Sequence, residues 1–152
     1  MIYELDKLNK EMKDDPAGFA RKCDADLDRR LRKCAEEVAG HLSVTPTVLL
    51  SGPSASGKTT AAGMLEKILD NMGIETHVIS MDDYFLTVDR ETAPKTPDGR
   101  IDYESPKCLD IELLLRHFEI IDRGGTIDIP TYDFTRKRRV EGGERPLKVN
   151  PG

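Results

Sequence analysis

Residues 52–59 read Gly52-Pro53-Ser54-Ala55-Ser56-Gly57-Lys58-Thr59, a full match to the pattern G-x-x-x-x-G-K-[ST]. The spacing has a chemical reason. A polyphosphate is a dense anion, and several donors must converge on one small volume to hold it. Glycines at 52 and 57 allow a tight turn that brings backbone amides close to such a ligand. A helix starting at the end of the loop aims its positive end at the same place. Lys58 suits the β- and γ-phosphates of a nucleoside triphosphate, and the Thr59 hydroxyl suits Mg²⁺. Thr60 continues the first helical turn, so residues 52–60 together form the candidate phosphate site.

The flanking sequence fits that placement. Thr47–Ser51 is a short apolar run of the kind found in a buried parallel strand. Ala61, Ala62, Met64, Leu65, Ile68, Leu69 and Met72 supply the inner faces of a following helix, which Gly73 is suited to end. His77–Ser80 reads as a second strand. Strand, helix and strand in this order form a βαβ unit. The expected fold class is therefore α/β, a P-loop NTPase fold with a parallel sheet flanked by helices.

Before this unit, Phe19, Cys23, Leu27, Leu31, Cys34, Val38 and Leu42 recur every three or four residues. They form one apolar stripe on a helix over 16–42, with Pro16 at its start. Residues 1–15 are polar and weakly patterned. The domain expectation is an N-terminal helical extension over 1–45 and a partial P-loop kinase domain over 46–152. Beyond the βαβ unit, Pro94, Pro97 and Asp98-Gly99 mark residues 86–104 as a loop. Ser105-Pro106 reads as a helix start, with Leu109, Leu113, Leu114, Phe118 and Ile121 inward and Gly124-Gly125 at its end. Thr126–Pro130 alternates like a strand and is expected to pair with a segment near 137–140.

Composition excludes several classes. Lys and Arg number 23 against 28 Asp and Glu, a formal charge of −5, whereas polyanion-binding proteins are more often basic. The run Arg136-Lys137-Arg138-Arg139 is too short to mark nucleic-acid binding. Cys23, Cys34 and Cys108 form no C-x-x-C pair and are odd in number, so neither a disulfide framework nor a zinc site is expected. The N-terminus has no signal-peptide pattern, and no apolar run approaches the ~18 residues needed to span a membrane. A cytoplasmic protein with no membrane partner is the expectation. Nothing in the sequence fixes the oligomeric state.

A P-loop alone does not name a reaction, since ATPases, GTPases and small-molecule kinases share it. Ser80-Met81-Asp82-Asp83-Tyr84-Phe85 begins where the second strand should end, and ligands of open parallel sheets gather at the carboxyl ends of strands. Transfer to a hydroxyl needs a group that orients it and takes its proton. Either Asp82 or Asp83 suits that role or a place on Mg²⁺; a solvated acidic turn is the other reading.

Four segments together resemble the uridine kinase family, part of the phosphoribulokinase/uridine kinase group. They are Ser51–Thr60, Ser80–Phe85, Ile101-Asp102-Tyr103-Glu104-Ser105-Pro106 and Ile129-Pro130-Thr131-Tyr132-Asp133-Phe134. The resemblance covers residues 47–139. It implies an ATP- and Mg²⁺-dependent kinase acting on the 5′-hydroxyl of a nucleoside of the uridine or cytidine kind. It further implies Lys58 and Asp82 as catalytic groups, with Thr59 and Asp82 near the metal. Phe85, Tyr103 and Tyr132 fall where the family has aromatic groups by the acceptor, and Glu104 where it has a carboxylate on the ribose hydroxyls. A nucleoside offers a flat π-face and a diol, for which aromatic walls and a carboxylate are apt. Read without the resemblance, the rings also suit packing, and Glu104 also suits the first turn of a helix.

Two departures are visible. Lys137 stands where nucleoside-specific members carry a histidine, which opens the acceptor to another nucleoside, a sugar phosphate or another small alcohol. The sequence also ends at Gly152, ahead of the Walker B strand and arginine-bearing lid that the resemblance implies. The expectation is a domain incomplete on its C-terminal side, weak in nucleotide binding and turnover. A nucleotide-binding module without catalysis is the non-enzymatic alternative.

Overall fold

A computed structural model describes residues 4–44, 46–53 and 55–149. The chain divides into two compact units, residues 1–78 and 79–152.

The first unit is helical. Helix α1 spans Leu5–Asp14, and α2 spans Pro16–Ala39. The turn between them is set locally: Asp15 Oδ1 accepts the Gly18 amide at 2.8 Å while Pro16 opens α2. A side chain at 18 would collide with the capping carboxylate, its Cβ falling 1.9 Å from Asp15 Oδ2. Lys22 and Glu11 join the two helices through an ion pair at 2.7 Å. The predicted stripe is present on α2, which ends at Ala39, three residues short of the expected 42. Sequence reading missed α1, whose apolar positions Leu5, Leu8 and Met12 are few and largely exposed.

Helix α3 spans Lys58–Asn71 and packs on α2, burying Leu69. Its C-terminus closes as expected at Gly73, which takes φ 80. The Gly73 amide donates to Asp70 O at 2.9 Å and the Ile74 amide to Leu69 O at 3.0 Å, the paired bonds of a Schellman motif.

The second unit holds a small mixed core. A 3-10 turn over Met81–Tyr84, capped by the Ser80 hydroxyl, delivers Tyr84 inward. Residues 94–102 form a small hairpin-like turn closed by a Lys95–Ile101 bridge, with Gly99 at φ 81. Helix α4 spans Ile111–Asp122, followed by strands β1 (Thr126–Ile129), β2 (Tyr132–Asp133), β3 (Arg138–Arg139) and β4 (Arg145–Lys148). Tyr84, Leu114, Ile127 and Ile129 form the buried cluster, with Ile79, Leu113, Phe118, Ile120, Ile121 and Leu147 packed around it. Alternation along β1 places Ile127 and Ile129 on the inner face. Burying such a side chain stabilises by about 1.5–3 kcal/mol.

Two local expectations change. The Ser105-Pro106 signal produces only a 3-10 turn over Pro106–Cys108; α4 starts at Ile111, where Asp110 Oδ1 accepts the Leu113 amide at 3.0 Å. Strand β1 pairs antiparallel with β4, Ile127 opposite Leu147, rather than with the segment near 137–140. That segment supplies β3 instead, paired with β2. Leu147 is the reason for the β1 choice, since it adds apolar cover to the buried cluster beside Ile127.

Among the described residues every strand ladder is antiparallel. Residues 47–51 and 77–80, expected as parallel strands, belong to no ladder. Leu49 is 84% exposed. An apolar run becomes a buried strand only when neighbours cover its faces and pair its edges; residues 47–51 are exposed throughout, whereas Ile79 packs on the buried cluster without joining a ladder.

Candidate functional site

The phosphate-loop geometry follows from its glycines. Gly57 takes φ 85, a left-handed conformation, and serves as the N-cap of α3 without contributing a side chain. Gly52 lies close under the loop: a Cβ there would fall 2.9 Å from Ser56 Oγ. Between them Ser56 N donates to Pro53 O at 3.2 Å, and Ala55 takes φ 59. Ser54 lies outside the described residues. Lys58 turns back over the loop, its ammonium donating to Gly52 O at 2.8 Å and Pro53 O at 2.9 Å. Gly52, Pro53, Ala55, Ser56, Gly57, Thr59 and Thr60 are exposed, and Lys58 is half-buried. The first amides of α3 have no intrahelical acceptor by construction, and no side chain caps them. A tight loop, free amides and an ammonium held above them fit a polyphosphate, and the exposed Thr59 hydroxyl fits a hard cation.

In the second unit, the turn over Met81–Tyr84 separates the two acidic candidates. Asp83 Oδ2 pairs with Arg145 Nη2 at 2.8 Å, so its carboxylate is engaged. Asp82 is exposed; its amide donates to Ser80 Oγ at 3.3 Å, and its carboxylate meets no partner among the described residues.

The expected aromatic residues gather in part. Phe85 and Tyr132 stand 5.4 Å apart between ring centroids, and Phe134 closes a triangle at 5.8 Å from Phe85 and 4.9 Å from Tyr132. Tyr132 is buried and Phe134 is 58% exposed, so the cluster has an inner and an outer end. Burial pushes the Tyr132 phenol above its ordinary value, with Tyr103, Cys108 and Asp133 adding in the same direction. Tyr103 is itself exposed, and the Lys137 ammonium sits over its ring at 5.1 Å. Lys137, between β2 and β3, takes φ 53. Glu104 is exposed, and its amide donates to Asp102 Oδ1 at 3.1 Å.

Sequence reading missed Arg139, counted there only within a basic run. Its guanidinium contacts Phe85 O at 3.2 Å, Tyr84 O at 3.2 Å and Asp110 Oδ2 at 2.9 Å. Its partners lie 29 to 55 residues away, so no local signal exists. A cleft of about 360 Å³ lies elsewhere in this unit, lined among others by Arg116, His117, Asp128 and Glu144; apart from the shared Arg139 it holds none of the residues above. No helix among the described residues is long and apolar enough to cross a membrane.

Comparison with known proteins identifies relatives of this chain. The chain is 28% identical over 122 residues to uridine-cytidine kinase 2-B of Danio rerio, covering 76% of this chain and 46% of that protein. It is 33% identical over 98 residues to a uridine kinase of Shewanella piezotolerans, covering 62% and 44% respectively. A uridine kinase of Macrococcus caseolyticus is 32% identical over 101 residues, covering 66% and 47%. The chain thus spans less than half the length of each of these relatives. The model of the phosphoribulokinase / uridine kinase family matches residues 48–150, a span that takes in the phosphate loop, the acidic turn and the aromatic cluster. By that match, over more than half its length, the chain belongs to the phosphoribulokinase / uridine kinase family.

Proposed function

We propose that this chain serves a kinase that transfers the γ-phosphoryl group of ATP to the 5′-hydroxyl of a nucleoside of the uridine or cytidine kind. The family implies the P-loop NTPase fold and a phosphotransferase. The observation that carries the triphosphate-donor part of the reading is the phosphate loop: a complete motif, left-handed Gly57 at the head of α3, and Lys58 turned over the loop; the nucleoside acceptor rests on the family match and on the uridine kinases among the relatives. The domain assignment that goes with it is a helical extension over 1–45 and a kinase portion over 46–152. A cytoplasmic location and a small-molecule acceptor complete it.

In the proposed reaction the 5′-oxygen bonds to the γ-phosphorus, the bond from that phosphorus to the β–γ bridging oxygen breaks, and its electron pair leaves with ADP. The loop over residues 52–60 binds the phosphates through its free backbone amides, Pro53 having none, and through the Lys58 ammonium. Thr59 would hold Mg²⁺ from the loop, with Asp82 as a second candidate. Bound Mg²⁺ supplies charge neutralisation on the phosphate oxygens. Asp82 orients the 5′-hydroxyl and takes its proton, and Lys58 stabilises charge on the moving group. The engagement of Asp83 by Arg145 favours Asp82 for that proton. Phe85 and Tyr103 supply faces for the base, the buried Tyr132 ring backs Phe85 on the inner side, and Glu104 accepts hydrogen bonds from the ribose diol.

A second reading, with a sugar phosphate or another small alcohol as acceptor, is favoured by one observation: Lys137 places a cation over the Tyr103 face. A panel of uridine, cytidine, purine nucleosides and sugar phosphates, assayed with Mg·ATP, tests both. Transfer to a pyrimidine nucleoside supports the first reading; transfer only to a phosphorylated sugar or another alcohol replaces it. Nucleotide binding without transfer to any acceptor leaves a binding module.

A further inference from the structure

We propose that Arg139 is a positioning residue for the acceptor end of this site, holding the turn that carries Asp82 and Phe85 in one orientation; the inference rests on the kinase reading above. The Arg139 guanidinium makes two hydrogen bonds to the exit of that turn and a third to the residue that caps α4. Its Nη2 donates to Tyr84 O and its Nε to Phe85 O, both at 3.2 Å. Its Nη1 donates to Asp110 Oδ2 at 2.9 Å.

The anchor is itself fixed. Asp110 caps α4 by accepting the Leu113 amide, and its own amide donates to Tyr84 O at 2.9 Å. Arg139 and Asp110 therefore grip the same carbonyl. The Arg139 amide donates to Thr87 Oγ1 at 3.2 Å, which ties β3 to the segment just beyond the turn. Asp82 lies two residues before Tyr84, in the same four-residue 3-10 turn. Fixing the carbonyls of 84 and 85 fixes the path of that turn, and with it the origin of the Asp82 side chain. The same bonds hold Phe85 where its ring meets Tyr132 and Phe134.

The chemistry requires an arginine. A guanidinium offers five N–H donors in a rigid planar fork and meets two carbonyls and a carboxylate at once. A lysine offers a point charge on a flexible stem and cannot hold that spread. The residue touches no acceptor atom in this account, so its effect on rate comes through preorganisation, where a shift on the order of 1 Å costs about 10²-fold.

The test compares Arg139→Lys and Arg139→Gln with the parent chain, each labelled with fluorophenylalanine. Expected in Arg139→Lys are a folded protein, an unchanged KM for ATP, a kcat for uridine lower by about 10²-fold, and a displaced ¹⁹F resonance for Phe85. The Phe19 resonance, in the other compact unit, stays in place. Added guanidinium at low concentration partly restores turnover in Arg139→Gln. An unchanged kcat in folded Arg139→Lys, or a loss that matches the fraction unfolded, overturns the proposal. A parent chain inactive on every acceptor defeats the kinase reading instead. The ¹⁹F readout then decides alone: a Phe85 resonance unmoved by Arg139→Lys overturns positioning, and a displaced one upholds it.

Discussion

The Tyr84 hydroxyl and His117 Nδ1 meet at 2.8 Å inside the second unit, with Tyr84 fully buried and His117 only 6% exposed. The rings meet edge to face at 73°, and the bond joins the acidic turn to α4. Removing the hydroxyl in Tyr84→Phe strands a buried ring nitrogen. The expected loss is about 1–3 kcal/mol, measured by urea unfolding of the chain. A Tyr84→Phe chain as stable as the parent contradicts this.

The same pair sets a pH dependence. Burial pushes the His117 imidazole below its ordinary value of 6.5; Arg116 acts in the same direction, while Asp128 and Asp110 oppose it. The unfolded chain therefore takes up the proton more readily than the folded one. Stability that goes with neutral His117 is present above the unfolded value and is lost as pH falls through the folded value. Parent and His117→Gln melting temperatures, compared from about pH 8 down to about pH 5, are expected to converge on acidification. A constant difference across that range contradicts the assignment.

Local signals served well where one stretch of sequence decides the outcome. The stripe from Phe19 to Val38 marks α2, and Gly73 ends α3 as its left-handed conformation requires. The phosphate loop is local too, since glycines at 52 and 57 and the lysine at 58 act within one turn of backbone. Strand partners are a different matter. The pairing of Ile127 with Leu147 depends on which distant residue completes the core, and alternation along 126–130 says nothing about that. Ser105-Pro106 carries a genuine cap signal, yet Asp110 five residues later caps the longer helix. Arg139 shows the limit at the site: charge clustering made it one of four cations, and only tertiary contact separates it from Lys137 and Arg138.

Gly57 offers a backbone test. An alanine Cβ there meets nothing within 4 Å, so packing does not forbid it. The left-handed φ of 85 does, at a cost of about 1–2 kcal/mol for a residue with a Cβ. Gly57→Ala is expected to lose stability by that amount in denaturant titration and to bind Mg·ATP more weakly. Unchanged stability would show that the loop relaxes out of this conformation freely.

Asp82 and Asp83 are adjacent but differ in partners, and their amide variants should differ in consequence. Asp82→Asn is expected to lower kcat by about 10²–10⁴-fold with ATP affinity retained. Asp83→Asn releases Arg145 and should cost far less turnover. Steady-state kinetics on both variants, with nucleotide binding measured separately, checks the assignment. The reverse ranking would move the proton-accepting role to Asp83.

In the proposed reaction, residues 52–60 bind a triphosphate with the Lys58 ammonium among its ligands. Calorimetric titration of parent and Lys58→Ala chains with Mg·ATP addresses it most directly. Saturable binding to the parent and at least about a tenfold weaker Kd in the variant are expected, as loss of a charge-assisted contact worth ~1.5–3 kcal/mol requires. Equal affinity in the two proteins, or no binding to the parent, would contradict it.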